Sequence, residues 1–290
     1  MNSANLLALC AIALWASLAA LGVSLAHVPP FLLTGLSLLM GSLIALPLSR
    51  FDLRQWRVPP TTLALGVYGL FVYHFLLFIA LRHAPPVQAN LVNYLWPLGI
   101  VVMAPLFLRG VTLSARHIVA ALVGFAGAAL AILGGSGQDG GTGVVWAWGY
   151  VPALMAAFIW ASYSLLTRRV AAFPTAAIGS FAVVSGLLSL LCHALLEPAA
   201  DLGAGDLLLI ALLGLGPLGG AFFLWDAALK RGDPRQIGVL SFLTPLLSTL
   251  VLLAVRGEKP SLSVAAAAVM IIGAAIVATR TPAGGGPGNS

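Results

Sequence analysis

One apolar stretch of the chain carries a polar stripe. Asn90, Asn93, Tyr94 and Pro97 stand at i, i+3, i+4 and i+7, so a helix would put all four on one side. Amide and phenol groups at that spacing can hydrogen-bond the polar end of an organic solute. Pro97 adds a backbone acceptor: it has no N–H, which leaves the carbonyl of Asn93 without a helical partner. A weaker counterpart comprises Gly238, Ser241, Phe242, Pro245, Ser248 and Thr249, where Pro245 would free the carbonyl of Ser241. Inside a membrane such side chains act either as glue between helices or as ligand contacts, and both readings stand.

Aromatic residues fall at similar depth. Tyr68, Tyr73 and His74 occupy the apolar run before the Asn90 stripe, Trp15 the first run, and Trp160, Tyr163 and Ser164 the sixth. A cavity lined by Tyr, Trp, His and Asn suits a flat, partly apolar solute that also hydrogen-bonds. His74 is either a proton relay or a neutral histidine bonded to a neighbouring helix. Trp146 and Trp148 read instead as residues of the membrane-surface belt. The candidate substrate contacts are therefore Tyr73, His74, Asn90, Asn93, Tyr94, Trp160, Tyr163 and Ser241. Pro97, Gly216, Pro217 and Pro245 are the candidate helix breaks, with Gly214, Gly219 and Gly220 extending a run that permits close packing or a bend.

Several functions are excluded or disfavoured. No Lys or Arg lies at mid-run to neutralise a bare phosphate, and no Asp or Glu to hold an organic cation. Asp226 lies toward the end of its run, where Lys230 at i+4 pairs with it structurally. No G-x-x-x-x-G-K-[ST] motif supports ATP hydrolysis. Gly134-Gly135-Ser136-Gly137 looks like a nucleophile turn but lies in a Gly-rich loop without a placed histidine, so no enzyme is expected. Cys10 and Cys192 lack ligand-spaced companions, so neither a disulfide framework nor a metal site is expected, and no cofactor either. A neutral or zwitterionic solute remains.

The elements that position these residues follow from composition. Sixty per cent of the 290 residues are hydrophobic and 8% charged, against roughly 25% charged in an average soluble domain. Lipid is the solvent that such a chain requires. Apolar runs fall at about 5–26, 30–49, 61–81, 86–107, 114–133, 144–167, 175–196, 206–229, 235–255 and 262–280, separated by proline and glycine. The first lacks a basic n-region and reads as a helix, not a signal peptide. The fold class expected is an all-α integral membrane protein of ten transmembrane helices, with a disordered tail at 282–290. With the N-terminus cytoplasmic, eleven Lys and Arg face the cytoplasm and only Arg82, Arg256 and Lys259 face out. Both termini are thus expected inside. The net charge of +6 belongs to this bias, not to a nucleic-acid partner.

The chain also repeats itself. A shift of 148 aligns Leu65–Pro97 with Leu213–Pro245 at eleven identities in thirty-three gap-free positions, including Gly66/Gly214, Pro86/Pro234, Gln88/Gln236 and Pro97/Pro245. A shift of 145 aligns Trp15-Ala16-Ser17 with Trp160-Ala161-Ser162 and Pro29 with Pro174. Five helices per half put the two repeats, 1–137 and 138–281, in opposite orientations, an arrangement used by transporters.

These passages, Ala80-Leu81…Pro86…Gln88…Leu95…Pro97 and Ala228-Leu229…Pro234…Gln236…Leu243…Pro245, resemble the drug/metabolite transporter superfamily and its EamA-type exporters. The Gly-Glu that follows the ninth helix in the family stands as Gly257-Glu258, whereas the first half has Arg109-Gly110-Val111. The central Tyr, Trp and His content most resembles the bacterial aromatic amino-acid exporter branch. That resemblance implies export of Phe, Tyr, Trp or related amino acids across the bacterial inner membrane by alternating access through a central cavity; separately, a monomer is expected. Two other functions stay open: a broad exporter of neutral metabolites or drugs, and a channel or receptor-like membrane protein.

Overall fold

The computed structural model describes residues 3–135, 147–257 and 259–279, and among them every regular element is helical. In chain order the apolar helices are α1 (Ser3–Ser24), α2 (Pro30–Leu48), α3 (Pro60–His83), α4 (Pro86–Phe107), α5 (Ala115–Leu133), α6 (Tyr150–Leu166), α7 (Thr175–Leu196), α8 (Ala204–Arg231), α9 (Pro234–Val255) and α10 (Leu262–Thr279). Among the described residues, nine are long and apolar enough to cross a membrane. The exception, α6, has 17 residues, where a span needs roughly 20; the expected run at 144–167 begins outside the described residues. Ser136, Trp146, Glu258, Arg280, the boundary at 137 and the tail at 282–290 also lie outside them.

Proline sets four of the helix starts. Pro30, Pro60, Pro86 and Pro234 each open their helix, where the missing N–H costs nothing because the first turn leaves it unpaired anyway. The interruptions are also local. Tyr68–Val72 in α3 is a π-helical turn, Tyr94-Leu95 interrupts α4, Gly216–Gly219 interrupts α8, and Ser241-Phe242 interrupts α9. Under the shift of 148, the π turn falls on the break in α8, and the break in α4 falls within one residue of that in α9.

Packing pairs helices across the chain: α5 with α10, α2 with α7, α1 with the second legs of α8 and α9, and α6 with the second legs of α3 and α4. Small residues set the closest approaches. A Cβ on Gly41 would stand 2.7 Å from the Gly214 carbonyl oxygen and from Gly219 Cα, so α2 crosses the break in α8 backbone to backbone. The glycine run of α8 thus supplies both a bend and a close crossing.

Candidate functional site

Four helices each send one tryptophan to a common point. Trp15 (α1), Trp96 (α4), Trp160 (α6) and Trp225 (α8) are buried, and all six of their pairwise ring-centroid separations lie between 5.2 and 6.5 Å. Most pairs meet edge-on or tilted, the arrangements that the ring quadrupole favours. Phe222 packs 5.5 Å from Trp160 and 6.2 Å from His74. Tyr73 and Tyr163 approach Trp160 at 5.3 and 5.4 Å. One polar point opens on this apolar centre. Asn93 Nδ2 donates to Tyr73 Oη at 3.1 Å, while the buried Asn93 Oδ1 has no hydrogen-bond partner.

A profile of the EamA-like transporter family matches residues 2–133 and again residues 147–280. The chain belongs to this family. It is 42% identical over 281 residues to the aromatic amino acid exporter YddG of Ancylobacter novellus, with 96% of this chain and 97% of that protein covered. The aromatic amino acid exporter YddG of Escherichia coli K12 is 27% identical over 290 residues, covering 95% and 96%. A crystal structure 41% identical in sequence superposes with a TM-score of 0.86 over 96% of this chain and 98% of that one.

In this EamA-like transporter, the sequence-predicted contacts divide into two groups. Tyr73, His74, Asn93, Trp160 and Tyr163 converge on the ring cluster or its polar point. Asn90 and Tyr94 are half-buried on α4, and neither a ring contact nor a side-chain hydrogen bond joins them to it. Ser241 is fully buried, and its hydroxyl donates to the Ile237 carbonyl of its own helix at 2.8 Å. Its backbone carbonyl, expected to be free, accepts from Thr244 N at 3.0 Å: the chain tightens by one residue around Pro245. Pro97 and Pro245 each sit just past a helix break, whereas Gly216 and Pro217 lie within one.

His74 stands two residues past the π turn of α3. His74 Nδ1 donates to the Leu70 carbonyl at 2.5 Å, which fixes the proton on Nδ1 and leaves Nε2 as the acceptor. Tyr68 Oη donates to Ser162 Oγ at 2.8 Å, and Ser162 in turn donates to the Ile159 carbonyl at 3.1 Å. Ser164 accepts from the Trp225 indole N–H at 3.1 Å. The expected pairing of Asp226 with Lys230 is present at 2.6 Å, and Thr175 Oγ1 donates to the same carboxylate oxygen at 2.7 Å.

Sequence reasoning missed Trp96, Trp225 and Phe222. Their signal was available: tryptophan is scarce, seven in the chain, and Trp96 adjoins the Tyr94–Pro97 stripe. It also missed Glu197, past the end of α7, whose carboxylate accepts from Phe31 N at 3.1 Å and pairs with Arg82 at 2.7 Å.

Proposed function

We propose that this protein exports aromatic amino acids across the bacterial inner membrane by alternating access, with the four-tryptophan cluster at the centre of the path. The observation that carries the reading is this buried meeting of rings around Asn93, in a chain 42% identical to an exporter named for those solutes. An aromatic side chain matches the ring cluster by shape and quadrupole. Asn93 Oδ1 is an acceptor waiting for a donor, and the ammonium of an amino acid carries three. Tyr73 and Tyr163 flank the aromatic part, and Asn90, Tyr94 and Ser241 complete the wall when the helix breaks move.

The rings fill their own centre, so the solute's ring enters only as they part. This closed cluster supports a moving mechanism over an open channel. The helix breaks supply the bending points, and the cross-chain pairing of α2 with α7 and of α5 with α10 supports two inverted five-helix repeats, 1–137 and 138–281. Ten spans with both termini cytoplasmic follow from that symmetry and from the distribution of Lys and Arg. No resident cofactor is required, and one copy of the chain encloses the path.

Uptake of radiolabelled amino acids into liposomes containing the purified protein tests the reading. Saturable transport of Phe or Trp, competed by unlabelled aromatic amino acids and by one another, is the expected result. Transport of none of them overturns the substrate class, and transport without saturation or counterflow overturns the carrier.

A further inference from the structure

Away from the ring cluster lies a cavity of about 530 Å³, lined by Phe107, Leu108, Arg109, Val111, Arg168 and Arg169. Its three guanidinium groups are unneutralised: among the described residues, no carboxylate lies within ion-pair distance of any of them. Asp233, the residue after Gly232 at the rim, is held by Arg235. Arg168 Nη1 donates to the Gly232 carbonyl at 3.1 Å, and a Cβ on Gly232 would touch Ala4 Cβ at 2.8 Å. The rim of the cavity therefore brings together the start of α1, the ends of α4 and α6, and the end of α8.

These are the four helices that carry the tryptophans. Phe107 lies eleven residues beyond Trp96, Arg168 eight beyond Trp160, and Gly232 seven beyond Trp225. At 1.5 Å per residue, the cavity sits roughly 10–16 Å along the same helices from the ring cluster. Guanidinium groups are built to grip a carboxylate through paired hydrogen bonds. The apolar wall of Phe107, Leu108 and Val111 accommodates a hydrophobic side chain beside them.

We propose that this cavity is the loading site of the transporter, where Arg109, Arg168 and Arg169 capture the carboxylate of an amino acid before its side chain reaches the tryptophans. The inference rests on the export reading above. In the orientation proposed there, the cavity opens to the cytoplasm, the side from which an exporter loads. It also divides the labour of recognition: the carboxylate is selected at the mouth, the ammonium and ring at the centre. A phospholipid phosphate shares the anionic chemistry, but a rim formed by the helices that enclose the path favours a solute over a lipid.

The test compares wild-type protein, the R109Q/R168Q/R169Q variant and the R109K/R168K/R169K variant in proteoliposomes. Initial rates are measured for Phe and for phenylalaninamide, which lacks the carboxylate. The neutral variant is expected to raise KM for Phe about tenfold, leave KM for phenylalaninamide unchanged, and lack the salt dependence of Phe uptake expected of the wild type. The lysine variant should recover part of the loss. The paired variant R109Q/R169Q, whose two side chains make no hydrogen bond within the described residues, serves if the triple variant does not fold. Phe transport with an unchanged KM in the neutral variants overturns the proposal while leaving the export reading intact. Retention of an anionic phospholipid by wild type alone in native mass spectrometry, with KM unchanged, reassigns the cavity to lipid and overturns it as well. Absence of Phe transport in the wild type removes both readings together.

Discussion

Arg82 and Lys230 stand 148 positions apart at matching places in the two related passages, and each closes an ion pair onto a carboxylate with almost no exposed surface. Arg82 meets Glu197 at 2.7 Å and Lys230 meets Asp226 at 2.6 Å, with the carboxylate side chains 0% and 2% exposed. Each carboxylate also holds the start of a helix: Glu197 accepts from Phe31 N in α2, and Asp226 from Thr175 Oγ1 in α7. Each cation lies over a phenylalanine ring, Arg82 over Phe31 at 5.8 Å and Lys230 over Phe173 at 3.9 Å. Both devices combine a helix-start dipole, a charge-assisted hydrogen bond and a cation–π contact.

Glu197 therefore ties the ends of α2, α3 and α7. Glu197→Ala leaves two α2 backbone N–H groups without an acceptor and the half-exposed Arg82 without its anion, which should cost about 1–3 kcal/mol. Glu197→Gln, which keeps an acceptor oxygen, should lose less. Thermal melting in detergent orders the three proteins; an alanine variant as stable as wild type would show that the tie contributes nothing.

Asp233 caps the start of α9 outside the spans. Burial pushes its carboxyl up, but hydrogen bonds and charge from Arg235 outweigh that effect and hold it below its ordinary value of 3.8. A carboxyl with a lowered folded pKa stabilises the fold above its unfolded value, and this contribution fades as pH falls through the folded one. Wild-type protein should lose melting temperature below about pH 4, and Asp233→Asn should flatten that part of the profile. Identical acid limbs for the two proteins would exclude Asp233 as a source of the slope.

The limits of the sequence follow from the same physics. Helix boundaries were legible because Pro30, Pro60, Pro86 and Pro234 mark them and lipid forces every apolar run to pair its backbone internally. The Asn93–Tyr73 neighbourhood was legible in part, as two polar groups at similar depth. The meeting of Trp96 and Trp225 was not. A helix facing lipid on one side and protein on the other is apolar all round, so the sequence carries little record of its rotation. The π turn at Tyr68–Val72 shifts that rotation by a fraction of a turn, and no residue type signals it. Glu197 sits beyond a helix end where, besides His193 four residues earlier, its partners Phe31, Leu32 and Arg82 come from helices distant in sequence.

The π turn has a packing requirement of its own. A Cβ added to Gly69 would stand 2.3 Å from the Tyr163 ring, and Tyr163 cannot retreat without displacing Trp160. Gly69→Ala should cost about 1–3 kcal/mol by overpacking and should impair transport more than it impairs melting. Transport and melting both at the wild-type level would show that α3 slides freely there.

Asn93 and Tyr73 form one hydrogen-bonded unit, so their effects on transport should not add. Asn93→Leu removes the acceptor proposed for the solute ammonium and should raise KM for Phe about tenfold, equivalent to about 1.4 kcal/mol. Tyr73→Phe removes only the group that orients the amide and should cost less, about 1 kcal/mol. In the double variant the tyrosine change should add nothing, because the amide it orients is gone. Full additivity of the two would mean that Tyr73 contacts the solute itself, through its own hydroxyl.

His74 separates facilitated movement from proton coupling. Its Nδ1 proton is committed to the Leu70 carbonyl and the ring is buried among Tyr73, Phe78 and Phe222. Among the described residues no carboxylate lies within ion-pair distance of His74, and the Asp226 carboxylate is taken by Lys230 and Thr175. A ring whose Nδ1 is committed to the backbone and that has no carboxylate partner offers no proton relay, so transport of Phe should be indifferent to an imposed pH gradient. His74→Gln, whose amide can still reach a backbone carbonyl, should retain transport at a reduced rate and remain indifferent. Gradient-dependent uptake in the wild type, abolished in this variant, would make Nε2 the proton carrier and the neutral ring only one of its two working states.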